Sequence, residues 1–190
     1  MSNKVYLTNE GFLEIEEELN HLKEVKRPEV IKALKPGVTE LQMVGVAQKV
    51  IYELGAEYEG LPMYVFSESS TRHAISRSTY KVIGANDIVQ LNLSAKIDGY
   101  SPAIGLPVFM GKAEGEKKEI VEFCLKMHNW TTENLKAGIK ADVVPKQFLQ
   151  MFKDAGYEKN CVYGPCHGTG MIEVEAPWME TSSDYILKPN

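Results

Sequence analysis

An internal repeat constrains the fold of this chain more than any other feature. The segment Leu34–Glu57, "LKPGVTELQMVGVAQKVIYELGAE", aligns without a gap with Leu135–Glu158, "LKAGIKADVVPKQFLQMFKDAGYE", at a constant offset of 101 residues. Each copy predicts a turn, then an amphipathic helix, then a glycine suited to a helix C-terminal cap. Two copies of one unit predict a duplicated α/β structure with pseudo-two-fold symmetry.

The segments that follow and separate the two copies are rich in strand-forming residues. "MYVFSES" follows the first copy and "CVYGPCHGTGMIEVEAP" follows the second. Between the copies, "NDIVQLNLSAKIDGYSPAIGLPVFMG" alternates apolar and polar residues and contains Asp98-Gly99, which favours a tight turn. We therefore expect a β-hairpin with strands near 88–96 and 100–109. The next segment, "GEKKEIVEFCLKMHNWTTENLKAG", predicts a long helix.

Residues 1–33 differ from the repeat region and form a separate N-terminal segment ahead of 34–190. The pattern predicts a helix from residue 8 to about residue 34, with Thr8 as its N-cap. Apolar residues recur along it at spacings of three and four: Phe12, Ile15, Leu19, Leu22 and Val25. Pro28 either interrupts this helix or begins a new one.

The charge and hydropathy of the chain exclude some classes of function. The net charge is −5, which disfavours nucleic-acid binding through a broad basic face. No stretch is long and apolar enough to span a bilayer, and the N-terminus lacks a signal-peptide pattern, so we expect a cytoplasmic protein. Three cysteines, an odd number, argue against a disulfide framework.

The N-terminal segment has a resemblance of its own. "YLTNEGFLEIEEELNHLKEVKRPEVIKAL" resembles the first helix of the Gre-type transcript-cleavage factors. In that family the helix leads to a coiled-coil tip with acidic residues. Here "KPGVTELQ" follows instead. The resemblance therefore implies a helix and no transcript-cleavage activity.

Three motifs resemble the methionine aminopeptidase, prolidase and creatinase family, which includes the Xaa-Pro peptidases. They are "KPGVTELQ", "NDIVQLNLSAKIDGYSPAIGLPV" and "GPCHGTGMIEVEAP", in that order. The resemblance implies the pita-bread fold over residues from about 30 to 190. This is an α/β (α+β) fold, a duplicated unit with a curved antiparallel sheet. Because the chain ends at "LKPN", we expect that fold to be incomplete at its C-terminus, as in a fusion or a fragment.

The same resemblance implies where metal ligands would lie. Peptidases of the family hold two divalent metals with two aspartates, one histidine and two glutamates. The two aspartate positions fall at Asn92 and Ala103, and the histidine position at His167. Both glutamates would follow the last residue, Asn190. We therefore expect no metal, no cofactor and no active metallopeptidase.

Creatinase-like members, which lack the metals, suggest another set of residues. By resemblance to them, His73 and His167 are candidate catalytic residues, since histidine suits proton transfer near neutral pH. Asn92 and Glu175, with the same two histidines, are candidate substrate-binding residues. His73 is equally well interpreted as a surface-loop residue. His167 is better interpreted as a retained pocket residue of the fold than as a working ligand or base. The chain departs from this branch too, because its glutamate falls at Gly105 and its second histidine at Val174.

Strand geometry bears on the residues around His167. Neighbours on a strand point to opposite faces, so Cys166 and His167 are poorly placed to act as a nucleophile and base pair. By the same rule Glu173 and Glu175 are expected on one face of a strand, with Val174 on the other.

Three hypotheses for function follow. The first is a domain with lost metal ligands that binds a small amide, guanidino compound or peptide, any catalysis being metal-independent. The second is a pseudoenzyme that serves as an interaction or dimerisation module. The third is a transcription-complex protein that acts through its N-terminal helix. In each case we expect a homo-oligomer and no membrane partner.

Overall fold

The computed structural model describes residues 27–71 and 76–189, together with Leu13, Glu16, Glu17 and Asn20, which are helical. Four α-helices lie in the continuous ranges: α1 (Arg27–Ala33), α2 (Glu40–Glu53), α3 (Gly115–Asn134) and α4 (Val143–Asp154). The strands are β1 (Tyr64–Phe66), β2 (Ile88–Ser94), β3 (Ala103–Phe109), β4 (Cys166–Gly168) and β5 (Glu175–Met179). No helix among these residues is long and apolar enough to cross a membrane.

The strands form two antiparallel sheets. One has the order β1-β2-β3, and its register sets Val65 opposite Leu91 and Leu91 opposite Leu106. The other pairs β4 with β5, and its register shifts between His167 and Gly168, as at a β-bulge. The mixed helix and antiparallel-sheet architecture agrees with the predicted fold class.

The core lies between α2 and one face of the larger sheet. Val65, Val89 and Leu91 point to this face and are almost completely buried, because side chains alternate between the faces of a strand. Met43 of α2 packs against them. A second cluster, around Ala141, Val144 and Met179, joins α4 to the smaller sheet.

The glycines of the repeat show that the duplication is real. Gly37 and Gly138 have φ angles of 92° and 90°, and Gly55 and Gly156 have φ angles of 87° and 79°. This left-handed conformation is one that glycine adopts without the steric cost of a Cβ. After each helix the residue that follows the glycine donates a hydrogen bond to the residue five positions before it, which completes the same C-terminal cap twice.

The helix starts of the two copies are anchored in the same way. The Gly37 N–H donates to the Ile83 carbonyl over 2.9 Å, and the Gly138 N–H donates to the Leu187 carbonyl over 2.8 Å. A single β-bridge accompanies each: Thr39 with Val82, and Lys140 with Ile186. The predicted duplicated α/β unit is confirmed.

The predicted hairpin and long helix are also confirmed. β2 and β3 pair over their full lengths. At the turn, β2 ends at Ser94 and β3 begins at Ala103, so both strands are shorter than predicted. The turn carries Asp98 at φ 51° and Gly99 at φ 84°, both left-handed, as a two-residue hairpin turn requires. The helix predicted between the hairpin and the second copy is α3.

Two other expectations are not confirmed: one lies almost wholly outside the described residues, and one is wrong. The N-terminal helix falls almost wholly outside the described ranges, and Pro28 lies in the first turn of α1, where its missing N–H is tolerated. The placement of Glu173 and Glu175 on one strand face is wrong. β5 begins at Glu175, and residues 171–174 form a bend that reverses the chain between β4 and β5.

Candidate functional site

The face of the larger sheet that turns away from the core carries Asn92, where the resemblance leads us to expect the first metal-ligating aspartate. Asn92 lies opposite Tyr64 on β1 and opposite Gly105 on β3. Since faces alternate along a strand, Gln90 and Phe66 share this face with it. We call this surface the open face; its members are Tyr64, Phe66, Ile88, Gln90, Asn92, Ser94, Ala103, Gly105, Pro107 and Phe109.

A pair of side-chain amides lies at the centre of the open face. The Gln90 Nε2 amide donates a hydrogen bond of 2.8 Å to Asn92 Oδ1, and both side chains are half-buried. The remaining groups, the Asn92 NH₂ and the Gln90 carbonyl oxygen, have no partner among the described residues. Such a pair presents donors and an acceptor side by side, with no net charge.

Small residues leave the surface beside this pair open. Ala103 and Gly105 are exposed on β3. A Cβ at Gly105 would lie 3.2 Å from Asn92 Oδ1 and 3.4 Å from Gln90 Nε2. The absence of a side chain at Gly105 therefore keeps the amide pair accessible from the β3 side.

Aromatic rings lie at the other side of the open face. Tyr64 and Phe66 stack with their centroids 5.6 Å apart and their planes at 16°. Phe66 is only 1% exposed, whereas Tyr64 is half-buried. Tyr64 therefore offers an apolar ring beside Asn92, its partner in the register.

His167 lies on the smaller sheet and is exposed. Its Nδ1 donates a hydrogen bond of 2.8 Å to the Gly168 carbonyl oxygen, because a carbonyl oxygen can only accept. The imidazole lies 5.8 Å from the Trp178 ring across the β4–β5 pair. In the described part of the chain, no hydrogen bond or ring contact links His167 to Asn92.

The loop after β4 connects the two sheets. The Ser101 N–H donates to the Gly170 carbonyl over 2.8 Å, and Lys96 Nζ donates to the Met171 carbonyl over 2.9 Å. The hairpin turn thus holds the residues that directly follow β4. This docking fixes the smaller sheet, and with it His167, at the turn end of β2 and β3.

Glu175 contacts its own loop. Its Oε2 accepts a hydrogen bond of 3.3 Å from the Ile172 N–H, and a Cβ at Gly170 would lie against its carboxylate. The described contacts of Glu175 thus shape the 170–172 turn, and its role toward a ligand stays a prediction. His73 lies outside the described residues, and its role stays a prediction too.

The carboxylate of Glu40, which the sequence analysis did not single out, holds residues on either side of positions 72–75. Glu40 is fully buried, and its oxygens accept hydrogen bonds from Ser67 and Thr79. Burial alone would raise the pKa of Glu40, but these hydrogen bonds outweigh it, so the pKa lies below its usual value. No signal in the sequence distinguishes Glu40 from an ordinary acidic residue in the first turn of a helix.

The residues at the two positions where we expect metal-ligating aspartates, Asn92 and Ala103, do not suit a pair of divalent metals. Asn92 offers an amide oxygen that already accepts from Gln90, and Ala103 offers no donor atom. Within residues 27–71 and 76–189, no three His, Cys, Asp or Glu side chains come close enough to hold a metal. Burial raises the pKa of the Cys166 thiol, which disfavours the thiolate that binds soft metals.

Comparison with solved structures places the fold. The chain is 23% identical to a Xaa-Pro dipeptidase from Bacillus anthracis, with a TM-score of 0.80, over 84% of this chain and 45% of that one. It is 21% identical to an X-Pro aminopeptidase from Thermotoga maritima MSB8, with a TM-score of 0.80, over 96% and 52% of the two chains. It is also 21% identical to a prolidase from Pyrococcus furiosus, with a TM-score of 0.80, over 84% of this chain and 47% of that one.

These similarities show the pita-bread fold, and the chain spans about half the length of the proteins it matches. No curated protein sequence matches it significantly. The model of metallopeptidase family M24 matches residues 20–190, which include both copies of the repeat and the open face. The chain is therefore a member of metallopeptidase family M24.

Proposed function

We propose that this chain binds a peptide or small amide on the open face without a metal ion. The observation that carries the proposal is the Gln90–Asn92 amide pair at the first family metal position. The proposal includes the loss of metal ligands, since Asn92 and Ala103 stand where family peptidases have aspartates.

The chemistry of the open face favours a neutral amide. The free Asn92 NH₂ and the free Gln90 carbonyl can donate to and accept from one peptide group. Half-burial strengthens such hydrogen bonds relative to those made in bulk water. The Tyr64 ring offers an apolar surface to the neighbouring part of the ligand.

A guanidino compound suits the face less well. A guanidinium is always charged, and carboxylates are the partners that bind it in two-pronged geometry. The open face carries no acidic residue. By the resemblance, Gly105 stands where creatinase-like members have a glutamate. Among the predicted ligand classes, the peptide or amide is therefore the one that the structure supports best.

The test is a titration of isotope-labelled protein with N-acetyl-alanyl-prolinamide in the presence of EDTA, followed by NMR. We expect saturable shifts in β2 and β3, and a loss of affinity of about tenfold in Asn92→Leu, since one to two hydrogen bonds are removed. Gln147→Leu, which changes an exposed amide of α4, is the matched control. Binding that requires added Mn²⁺, or that Asn92→Leu leaves unchanged, would overturn the proposal.

The alternative is a pseudoenzyme, a chain without catalytic activity that serves as an interaction or dimerisation module. The same two positions, Asn92 and Ala103, favour it. It predicts no hydrolysis of alanyl-proline, with or without Mn²⁺, by protein purified twice over different columns. Turnover that persists at constant specific activity through both columns contradicts it. RNA polymerase binding through the N-terminal helix, and the homo-oligomer, stay predictions.

A further inference from the structure

A second concave site lies apart from the open face, beside α2. It is a cavity of about 350 Å³ between α2, the segment that leads into β1, and residues 77–78. That volume is within the range of small-molecule sites. Its lining residues are Leu41, Val44, Gln48, Glu59, Gly60, Leu61, Pro62, Met63, Arg77 and Ser78, none of which belongs to the open face.

The walls of this cavity are held by backbone and hydroxyl contacts. Ser78 Oγ donates to the Val65 carbonyl over 2.9 Å and accepts from the Val65 N–H over 2.8 Å. The Lys96 N–H donates to the Tyr58 carbonyl over 2.7 Å, which fixes the Glu59 segment to the hairpin. A Cβ at Gly60 would overlap Ser94 Oγ, so this segment packs closely on β2. The cavity is thus formed by fixed elements.

The cavity has one acidic group with a defined orientation. Gln48 Nε2 donates a hydrogen bond to Glu59 Oε1, which orients the carboxylate of Glu59 at the cavity wall. Glu59 is half-buried and forms no ion pair with any described residue. Its other oxygen, Oε2, is therefore available to an ammonium group.

The cavity also has one basic group. Arg77 lines it, is exposed, and forms neither a hydrogen bond nor an ion pair within the described ranges. A guanidinium binds a carboxylate in a planar, two-pronged geometry. The lining also includes the apolar residues Val44, Leu61 and Met63, of which Met63 is only 5% exposed.

We propose that this cavity binds a free aliphatic α-amino acid. Glu59 takes its ammonium group, Arg77 takes its carboxylate, and Val44, Leu61 and Met63 contact its side chain. One acidic and one basic lining group match a zwitterion better than they match a simple anion or cation, because either of those would leave one charge unpaired. The size of the cavity suits leucine or valine better than a longer peptide.

The test uses L-leucine, followed by NMR shifts of the labelled chain, with leucinamide and N-acetyl-leucine as probes that lack one charge each. We expect saturable binding of leucine, and a loss of affinity of about tenfold in Glu59→Gln and in Arg77→Gln, since each removes a charged hydrogen bond. Glu57→Gln, on the exposed surface outside the cavity, is the matched control. Spectra of the free variants establish that each one is folded.

The blocked probes make the assignment specific. Leucinamide lacks the carboxylate, so it should bind more weakly than leucine and be insensitive to Arg77→Gln. N-acetyl-leucine lacks the ammonium group and should be insensitive to Glu59→Gln. The proposal is overturned if leucine gives no saturable shift up to roughly 20 mM, a limit near the weakest useful affinity. Equal binding of all three probes overturns it as well.

Discussion

Glu40 and Thr79, which are 39 residues apart, are joined by two hydrogen bonds at one carboxylate oxygen. Glu40 Oε2 accepts from the Thr79 N–H over 2.8 Å and from Thr79 Oγ1 over 2.9 Å. The other oxygen accepts from the N–H and the hydroxyl of Ser67 over 2.8 and 2.6 Å. One buried carboxylate therefore ties the start of α2 to the residue after β1 and to the segment that precedes β2.

Glu40→Ala should destabilise the fold strongly. The substitution leaves the N–H and hydroxyl groups of buried Ser67, and those of the more exposed Thr79, without this acceptor, which costs about 3 kcal/mol of unfolding free energy. Urea unfolding followed by circular dichroism measures the change. Glu119→Ala, an exposed position on α3, is the control and should change the unfolding free energy by less than about 0.5 kcal/mol. Equal effects of the two substitutions would show that the Glu40 hydrogen bonds contribute little.

The same carboxylate should make stability depend on acid. The folded-state pKa of Glu40 is lowered, so its contribution is complete above the usual carboxyl pKa of about 4.3 and is lost as the pH falls through the folded-state value. We expect Glu40→Gln to flatten the decline in unfolding free energy below pH 4.3. Urea unfolding at a series of pH values from about 3 to 6 measures this decline. A slope identical to that of the native chain would contradict the prediction.

The repeat predicts that Gly55→Ala and Gly156→Ala have equal costs. Both glycines are left-handed, and a Cβ at either meets no atom within 4 Å, so the cost is that of the backbone alone. We expect a loss of about 1–2 kcal/mol for each, measured by thermal or urea unfolding. Gly45→Ala is the control. It lies within α2, also has open space at its Cβ, and should stabilise the fold by about 0.5–1 kcal/mol.

The pKa of Asp142, in the second copy of the repeat, should depend on a neighbouring lysine. Its side chain accepts hydrogen bonds from Lys146 and Lys140, and these lysines, Lys146 foremost, hold the pKa of Asp142 below its usual value. Lys146→Gln should therefore raise the pKa of Asp142. Carbonyl-detected NMR of the aspartate side chain across acidic pH measures it, with Lys126→Gln on α3 as the control. An unchanged midpoint in Lys146→Gln would assign the shift to other groups.

Carboxylates reintroduced on the open face should create cation affinity. Asn92 pairs with Gly105 and Ala103 pairs with Ser94, so positions 92 and 103 are diagonal neighbours on one face. Their Cβ atoms are within reach of a shared cation, about 5–8 Å apart. We expect Asn92→Asp with Ala103→Asp to bind Mn²⁺ at least about tenfold more tightly than the native chain, because Mn²⁺ prefers carboxylate oxygens. Calorimetry measures the affinity, and neither single variant should reach the affinity of the double variant.

The features that the sequence predicted well are local ones. The left-handed glycines, Gly55 and Gly156, close their helices through contacts within five residues, and the alternation of β2 is visible in its own letters. The Gln90–Asn92 pair was missed, although residues two apart on a strand share a face and this spacing was available. Glu40 could not be found in this way, because Ser67 and Thr79 lie 27 and 39 residues away.

The wrong prediction of a strand face for Glu173 has a local cause, which the alternation of apolar and polar residues does not reveal. Gly168 packs against the backbone of Glu175 and Ala176, where an added Cβ would lie within 3 Å of three backbone atoms. The register shift beside it ends β4, and the chain bends through residues 171–174. A strict period of two therefore stops at the bulge, and the strand face predicted for Glu173 does not exist.

The two copies of the repeat differ in length at one place. Gly55 and Gly156 are 101 residues apart, whereas the anchoring residues Ile83 and Leu187, which bond to Gly37 and Gly138, are 104 residues apart. The connection from helix to anchor has thus gained three residues in the second copy without loss of either anchor. Loop closure depends only weakly on length, so this connection tolerates insertion. A spectroscopic label or affinity peptide placed among residues 180–184, which carry mostly exposed side chains, should leave both helix ends intact.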